Sequence, residues 1–243
     1  MSQEATVAST NLEFYDQLWS DTHLEEPQRF NTWPLIQGLA ESAPERLELG
    51  PGLRPRLPME RTRFVDLSRR ALERLRERGA NAVAAEVGSL PFGDQRFDLV
   101  GAFDIIEHVA DAGPVFREIS RVLKDGGAFV FSVPLHPRFW TGFDELVGHF
   151  RRYEPDALER SIAEHGFVLE RSAVFGMQPK NRWLLELGTR WLKRHRARAM
   201  RWYNWVILPI GLRMQKPLEF EPRLIRGEDV DETLVVCRRK PRS

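Results

Sequence analysis

The stretch Arg46-Leu-Glu-Leu-Gly-Pro-Gly-Leu53, followed by Phe64-Val-Asp66, decides the fold. A short apolar run ends in Gly50-Pro51-Gly52, and a second one ends on an acid sixteen positions after Gly50. This order predicts a strand, a glycine turn, a short crossover and a parallel strand with Asp66 at its tip. Glycines let a backbone pass close to a ligand, and an acid at such a tip can accept both hydroxyls of a ribose. We therefore expect a nucleoside-containing ligand.

The loop departs from the dinucleotide-binding fingerprint, because the third glycine is absent. Pro55 and Pro58 stand where a phosphate-binding helix should begin its second turn. Proline there removes hydrogen bonds and clashes with the preceding turn, so a long helix aimed at a pyrophosphate is not expected. A ligand without phosphates fits better. Since glycine turns of this kind also occur without a ligand, the neighbouring strands must supply further support.

Composition excludes several classes of protein. The chain has 243 residues, with 36 Lys and Arg against 35 Asp and Glu, so no global charge favours nucleic acid. The single Cys237 excludes an internal disulfide and a zinc-cysteine cluster, and its apolar neighbours predict a core thiol. Residues 1–11 lack the pattern of a signal peptide, and no apolar run approaches the ~20 residues of a membrane span. We expect a soluble, cytoplasmic protein.

Strands and helices alternate along the chain, which predicts an α/β fold with a Rossmann-like, doubly wound sheet of seven strands. Expected domains are an N-terminal helical cap (1–43), a Rossmann-like core (44–176), a helical insertion (177–228) and the last strand with the tail (229–243). Two short helices should precede the first strand, with a break near Glu26-Pro27. Their dense aromatic residues either cover the ligand or pack on the sheet, and we favour packing.

Six ordered stretches resemble class I S-adenosylmethionine-dependent methyltransferases, in particular those that act on small molecules. They lie between about residues 46 and 175 and comprise Glu48-Leu-Gly-Pro-Gly52, Val65-Asp66-Leu-Ser68, Glu86-Val-Gly-Ser-Leu-Pro-Phe92, Phe97-Asp-Leu-Val100, Asp104-Ile-Ile-Glu-His-Val109 and Arg121-Val-Leu-Lys-Asp-Gly-Gly127. The resemblance implies S-adenosyl-L-methionine as the cofactor.

The resemblance also implies a role for each matching residue. Those expected to bind the cofactor are Glu48, Gly50 and Gly52 at its methionyl end, Asp66 at the ribose, Leu67, Glu86 and Val87 at the adenine, and Phe103 and Asp104 near the sulfonium. Simpler interpretations remain open for three residues. Asp66 could serve only the following helix, Glu86 could be a solvated turn residue, and His108 more often packs than acts as a base.

Methyl transfer needs little from the protein besides alignment and exclusion of water, so we expect no metal. The candidates for catalysis lie after the fifth strand and are His136, Trp140 and the segment Gly148-His-Phe-Arg-Arg-Tyr153. This segment resembles one that many relatives place beside the substrate. His149 could be a general base and Tyr153 a hydrogen-bond partner. The alternative, which we favour slightly, is that this segment stabilises its own loop or caps the next helix.

Residues 177–228 are the most individual part of the chain. Residues 180–201 carry eight Lys or Arg against one acid, and four of the seven tryptophans fall between 183 and 205. A basic amphipathic helix with tryptophans suits a membrane surface or a lipid-linked substrate. A homodimer interface through 180–210, a lid over the active site, or a helix packed on the sheet with solvated arginines would explain the same pattern. Nucleic acid is not expected as a partner.

The sequence thus predicts methyl transfer from S-adenosylmethionine to O or N of a small or lipid-linked metabolite. Two alternatives remain. The first is an enzyme in which a nucleophile attacks the methionyl γ-carbon, for example by intramolecular cyclisation, and releases methylthioadenosine. The second is a non-catalytic scaffold that binds the cofactor. The sequence does not distinguish between possible acceptors.

Overall fold

The computed structural model describes residues 22–176 and 182–242, with side chains from residue 186 onward in the second range. The described strands are β1 (Arg46–Leu49), β2 (Thr62–Asp66), β3 (Asn81–Ala84), β4 (Phe97–Phe103), β5 (Leu123–Pro134), β6 (Phe167–Phe175), β7 (Phe220–Glu221) and β8 (Glu232–Arg239). The helices are α1 (Trp33–Glu41), α2 (Arg69–Glu77), α3 (Ala112–Val122), α4 (Gly142–Val147), α5 (Pro155–Glu164), α6 (Arg182–Arg194), α7 (Arg196–Trp202) and α8 (Leu208–Met214), and a π-helical turn, Tyr203–Ile207, joins the last two.

The described strands form one sheet in the order β3-β2-β1-β4-β5-β8-β6-β7. The first five strands in this order are parallel, whereas β8 runs antiparallel to β5 and β6. The prediction of seven strands is wrong, since the short β7 pairs with Ser172 and Ala173 of β6 and adds an eighth. Strands β2 and β4 lie on opposite sides of β1, and the connections that follow β1 and β4 therefore diverge. A crevice opens between them at the carboxyl ends of these strands.

Helices cover both faces of the sheet, which confirms the doubly wound arrangement. On β5, Phe129 and Phe131 pack into the core formed with α3 and α5, whereas Ala128 and Val130 pack with α1 on the opposite face. This alternation follows from the two-residue period of a strand. Cys237 is fully buried in the first of these cores, as predicted.

The segment before β1 packs against the body of the protein. The helix α1 buries Ile36 and Leu39 on the sheet, which agrees with the second helix expected there. Phe30 is buried against Leu208 and Leu212 of α8. The first predicted helix, with Phe14, Tyr15, Leu18 and Trp19, lies outside the described residues.

No helix forms between β1 and β2, a stretch that the structure describes throughout, as the two prolines predicted. Helix α2 then begins behind Ser68, whose hydroxyl accepts the Ala71 N–H at 3.3 Å. Between β5 and α5 lies a short helix that the sequence did not predict. There Thr141 and Asp144 form a capping box that starts α4.

The helices between β6 and β8 present large apolar side chains to solvent. Exposed residues there include Trp202, Trp205, Ile207, Ile210 and Met214. Residues 187–214 carry seven Lys and Arg and no Asp or Glu. Among the described residues, no helix is both long enough and apolar enough to cross a bilayer.

Two glycines with different backbones test the importance of the turn after β1. Gly50 has φ +60°, and a Cβ there would lie 2.3 Å from Ile105 Cδ1. We expect Gly50→Ala to lower the free energy of unfolding by about 1–3 kcal/mol. The exposed Gly38 lies inside α1, and a Cβ added there would meet no atom within 4 Å, so Gly38→Ala should raise it by about 0.5–1 kcal/mol. Urea unfolding measures the free energy of unfolding of both variants. If the two substitutions change it equally, the strain expected for a side chain at Gly50 is absent.

Candidate active site

A cleft of about 250 Å³ lies at the carboxyl ends of β1, β2 and β4. Its walls come from the turn after β1, the tip of β2, the segment after β3 and the segment after β4. The lining residues are Glu48, Gly50, Pro51, Gly52, Arg54, Arg56, Asp66, Leu67, Ser68, Ala85, Val87, Phe103, Asp104, Ile105, His108 and Val109. The cleft therefore occupies the point at which the strand order of such sheets reverses, where ligands generally bind.

The turn after β1 is tied to the tip of β2. Gly50 and Gly52 have left-handed backbones, with φ +60° and +54°. The Gly50 N–H donates to Val65 O at 2.7 Å, and the Gly52 N–H donates to Asp66 Oδ2 at 2.9 Å. Asp66 Oδ1 accepts the Ser68 N–H at 2.8 Å. These bonds fix the position of the Asp66 carboxylate at the edge of the cleft.

The side of the cleft next to β2 and β3 presents apolar surface. Leu67 is 59% exposed although it follows a buried strand directly. Val87 is half-buried and lines the cleft opposite the glycine turn. Glu86 is exposed and does not belong to the lining, although Ala85 and Val87 on either side of it do. A flat apolar ligand group would fit beside Leu67.

A buried carboxyl group, that of Glu48, and a buried guanidinium group, that of Arg56, line the cleft. Glu48 accepts hydrogen bonds from the backbone N–H groups of Arg56 and Leu57, each at 2.9 Å. Burial outweighs these bonds and raises the pKa of Glu48 to about 7. The guanidinium of Arg56 lies 3.6 Å from the ring centroid of Phe30, and burial lowers its pKa to about 10. Arg56 Nη1 is buried without a hydrogen-bond partner within the described residues.

Arg54 replaces the missing third glycine and connects the turn to the C-terminal helices. Its Nη1 donates to the Tyr203 hydroxyl at 3.3 Å, and its Nη2 donates to Asn204 Oδ1 at 3.2 Å. Both partners lie in the π-helical turn, and Asn204 is buried. The helices after β6 therefore brace the glycine turn, which is a role for this region that the sequence did not indicate.

The end of β4 combines a strained backbone with a cluster of acids. Asp104 has φ +52°, and its carboxylate accepts the Ser132 hydroxyl. Residues rarely adopt this backbone without side-chain support, and such strain concentrates at functional sites. Glu232 lies buried close by, and burial together with Asp104 raises the pKa of Glu232 well above its usual value.

Neither predicted catalytic residue belongs to the lining of the cleft. His149 lies behind His108, with the two ring centroids 4.6 Å apart. Its Nδ1 lies 2.9 Å from Asp144 Oδ1. The backbone of Tyr153 pairs with Pro134 and His136 at the end of β5, and burial raises the pKa of its hydroxyl. Their catalytic roles stay predictions, and a direct role for Tyr153 as a base would require a strongly disfavoured phenolate.

Glu107 and His108, in the turn after β4, contribute further buried polar groups. Burial, together with nearby Asp104, raises the pKa of Glu107 well above its usual value. Burial also lowers the pKa of His108 to about 3, so the imidazole is neutral at pH 7. His108 Nδ1 lies 3.3 Å from Gly148 O. The sequence indicated only a packing role for His108, because the return of the chain at Gly148 and His149 is not visible in it.

Solved structures with the same fold extend over most of the chain. A methyltransferase from Thermotoga maritima, named as S-adenosylmethionine-dependent and as a possible histamine N-methyltransferase, aligns with a TM-score of 0.57 and 16% identity, and covers 97% of this chain and 92% of its own. The [4+2]-cyclase SpnF aligns with a TM-score of 0.55 and 17% identity, and covers 85% and 80%. At these identities the likeness shows the fold alone, and one of the two proteins is named a cyclase.

Sequence relatives identify the family. Residues 49–131 match the family model described as a methyltransferase domain. A protein of Mycobacterium tuberculosis (strain ATCC 25618 / H37Rv), named as a probable S-adenosylmethionine-dependent methyltransferase, is 32% identical over 108 residues, which are 43% of this chain and 39% of that protein. Over residues 49–131, these matches support the class I S-adenosylmethionine-dependent methyltransferase superfamily. It spans about two fifths of the length of that relative.

The residues present in the cleft fit the cofactor of this superfamily, S-adenosylmethionine. Backbones at Gly50 and Gly52 allow close approach, and the Asp66 carboxylate, held by the Gly52 N–H, lines the cleft. The buried Arg56 can receive the cofactor's carboxylate, and Glu48 can receive its ammonium. Eight of the nine predicted cofactor residues line the cleft, with Glu86 the exception. The prediction missed Arg54, Arg56 and Ile105, although Pro55 between the arginines signalled an extended loop.

The Asp66 carboxylate provides the first test of this site. Asp66→Ala should weaken the binding of S-adenosylhomocysteine by about 10-fold or more, because a hydrogen bond to a charged group contributes about 1.5–3 kcal/mol. Isothermal titration calorimetry measures the affinity. The matched control Glu73→Ala removes an exposed acid from α2 and should bind like the wild type. An unaltered affinity in a folded Asp66→Ala variant would exclude the ribose contact.

The raised pKa of Glu48 predicts a pH dependence of binding. Because a ligand ammonium needs the ionised carboxylate, Glu48 has to lose its proton on binding below its pKa of about 7. Affinity for S-adenosylhomocysteine should therefore rise between about pH 5.5 and 7, by at most about tenfold per pH unit, and level off above. Calorimetry across this range on Glu48→Gln should give weaker binding with a flatter profile. If the affinity of Glu48→Gln rises with pH as much as that of the wild type, a group other than Glu48 causes the pH dependence.

Proposed function

We propose that this chain transfers a methyl group from S-adenosylmethionine to an oxygen or nitrogen atom of a small or lipid-linked metabolite. The observation that carries the proposal is the Asp66 carboxylate, held by the Gly52 N–H at the switch point of the sheet. Membership of the superfamily supplies the cofactor. S-adenosylmethionine provides a methyl group already activated on a sulfonium, so the protein has to bind, align and exclude water.

Different residues would bind the two ends of the cofactor. Asp66 and Leu67 would hold the nucleoside, and Glu48 and Arg56 would hold the amino-acid end. The sulfonium would then lie near Phe103 and Asp104, which line the cleft at the end of β4. The carboxylate of Asp104 would favour the positive charge of the cofactor before transfer. Alignment of the acceptor therefore has to provide most of the rate enhancement.

The surface of the C-terminal helices supports a lipid-linked acceptor. Trp202, Trp205, Ile210 and Met214 are exposed on a segment that carries basic residues and no acid between 187 and 214. Aromatic and apolar side chains with Arg and Lys suit an anionic lipid surface. Because Arg54 joins the π-helical turn of this segment to the cofactor turn, contact with lipid would occur close to the cleft.

One assay distinguishes the proposal from its alternatives. The protein is incubated with S-adenosylmethionine labelled in the methyl group, together with extracts that contain soluble and lipid-linked metabolites. We expect S-adenosylhomocysteine as the nucleoside product and label in an acceptor, and partition into organic solvent identifies a lipid-linked acceptor. Formation of methylthioadenosine would favour attack on the γ-carbon instead. Intact cofactor that is nevertheless bound would favour the non-catalytic scaffold. An Asp66→Ala sample serves as the control, since it should lose turnover.

A further inference from the structure

Behind the cleft wall, three buried side chains converge from two separate segments. Glu107 and His108 follow β4, and His149 follows α4. One ligand atom from each lies within 4.8 Å of the other two. A backbone hydrogen bond holds the two segments together, since the Phe150 N–H donates to Glu107 O at 2.8 Å. Glu107 is 1% exposed and His149 9% exposed at the side chain, so the group is not an ordinary solvated cluster.

Hydrogen bonds set the orientation of His149. Its Nδ1 lies 2.9 Å from Asp144 Oδ1, while its Nε2 faces Glu107 Oε1 at 3.8 Å. Asp144 is itself held by Arg152 Nε at 2.8 Å and by the Thr141 N–H at 2.8 Å. With Asp144 as the acceptor, Nδ1 of His149 is the donor and the lone pair of Nε2 is directed toward Glu107. Metal-binding histidines commonly have such a carboxylate partner.

One oxygen of the Glu107 carboxylate, Oε2, is buried and lacks a hydrogen-bond partner among the described residues. The 3.8 Å between Oε1 and His149 Nε2 is too long for a hydrogen bond. A buried carboxylate in this state costs several kcal/mol, and a bound cation would offset that cost.

We propose that Glu107, His108 and His149 bind one divalent transition-metal ion of the zinc type. Two imidazoles and one carboxylate are the donor set of zinc and of related transition metals, whereas magnesium and calcium prefer oxygen ligands alone. Ligand atoms at about 2.1 Å from zinc lie about 3.4 Å apart in a tetrahedral site, so the side chains would have to move together by up to about 1.4 Å on binding. The prediction that no metal takes part is thereby revised.

His108 lines the cleft beside Asp104, so an ion bound to it would lie next to the cleft wall. In the proposed methyl transfer, on which this part of the inference rests, an ion with a position open to the cleft would bind an acceptor hydroxyl and lower its pKa. The hydroxyl proton would pass to water, the oxygen would form its bond to the methyl carbon, and the sulfur would keep the electron pair of the broken C–S bond. The class of acceptor would be an alcohol or phenol.

Metal binding is measured on the full chain after dialysis against a chelator. Calorimetric titration with zinc chloride should show one equivalent bound to the wild type, with little binding of magnesium. Glu107→Gln and His149→Gln should each weaken zinc binding by about 10-fold or more. The matched control His195→Gln replaces an exposed histidine outside the group and should bind zinc like the wild type. No zinc binding, or equal binding by all four proteins, would overturn the proposal.

Two further measurements keep the result unambiguous. If a variant fails to fold, an anomalous-scattering map of zinc-soaked wild-type crystals decides, since the peak must lie between the three side chains. A peak elsewhere, or none, would overturn the site. Binding of S-adenosylhomocysteine to the chelator-treated protein is measured separately. Zinc binding without nucleoside binding would support the metal site and reject the proposed function. Nucleoside binding without zinc binding would support the proposed function and reject the metal site.

Discussion

The Gly52 N–H donates a hydrogen bond to the Asp66 carboxylate at 2.9 Å, and the rest of the site depends on this contact. It joins the end of β1 to the end of β2, two strands that the chain connects without a helix. The left-handed backbones of Gly50 and Gly52 make the contact sterically feasible, because an L side chain at Gly50 would collide with Ile105. The cleft therefore has a floor of backbone and a fixed carboxylate on one side, which suits a nucleoside.

Around this contact, the protein replaces a usual glycine with charged residues that need support from elsewhere. Arg54 is held by the π-helical turn at Tyr203 and Asn204, and Arg56 is held over the ring of Phe30. Both supports come from outside the sheet, one from the segment before β1 and the other from the helices after β6. The peripheral helices are thus structural partners of the turn after β1. This contact is one ground on which we propose a lipid-linked acceptor.

The sequence is sufficient where one local pattern determines the structure. The alternation of strands and helices predicted the doubly wound sheet, and Pro55 and Pro58 predicted the missing helix after β1. Prediction failed where distant pairing partners determine whether a strand forms. The two residues of β7 form a strand only because Ser172 and Ala173 of β6 lie opposite them. The capping box at Thr141 and Asp144 was a readable signal that was overlooked. The convergence of Glu107, His108 and His149 depends on the return of the chain after α4, which no local pattern encodes.

The central claim is that an adenosyl cofactor lies across the tips of β1 and β2, with its sugar bound to one carboxylate. A crystal structure of the protein with S-adenosylhomocysteine tests this most directly. The account predicts both ribose hydroxyls within about 3.2 Å of the Asp66 carboxylate oxygens and the adenine beside Leu67. A nucleoside bound elsewhere on the protein, or a ribose that does not contact Asp66, would contradict it.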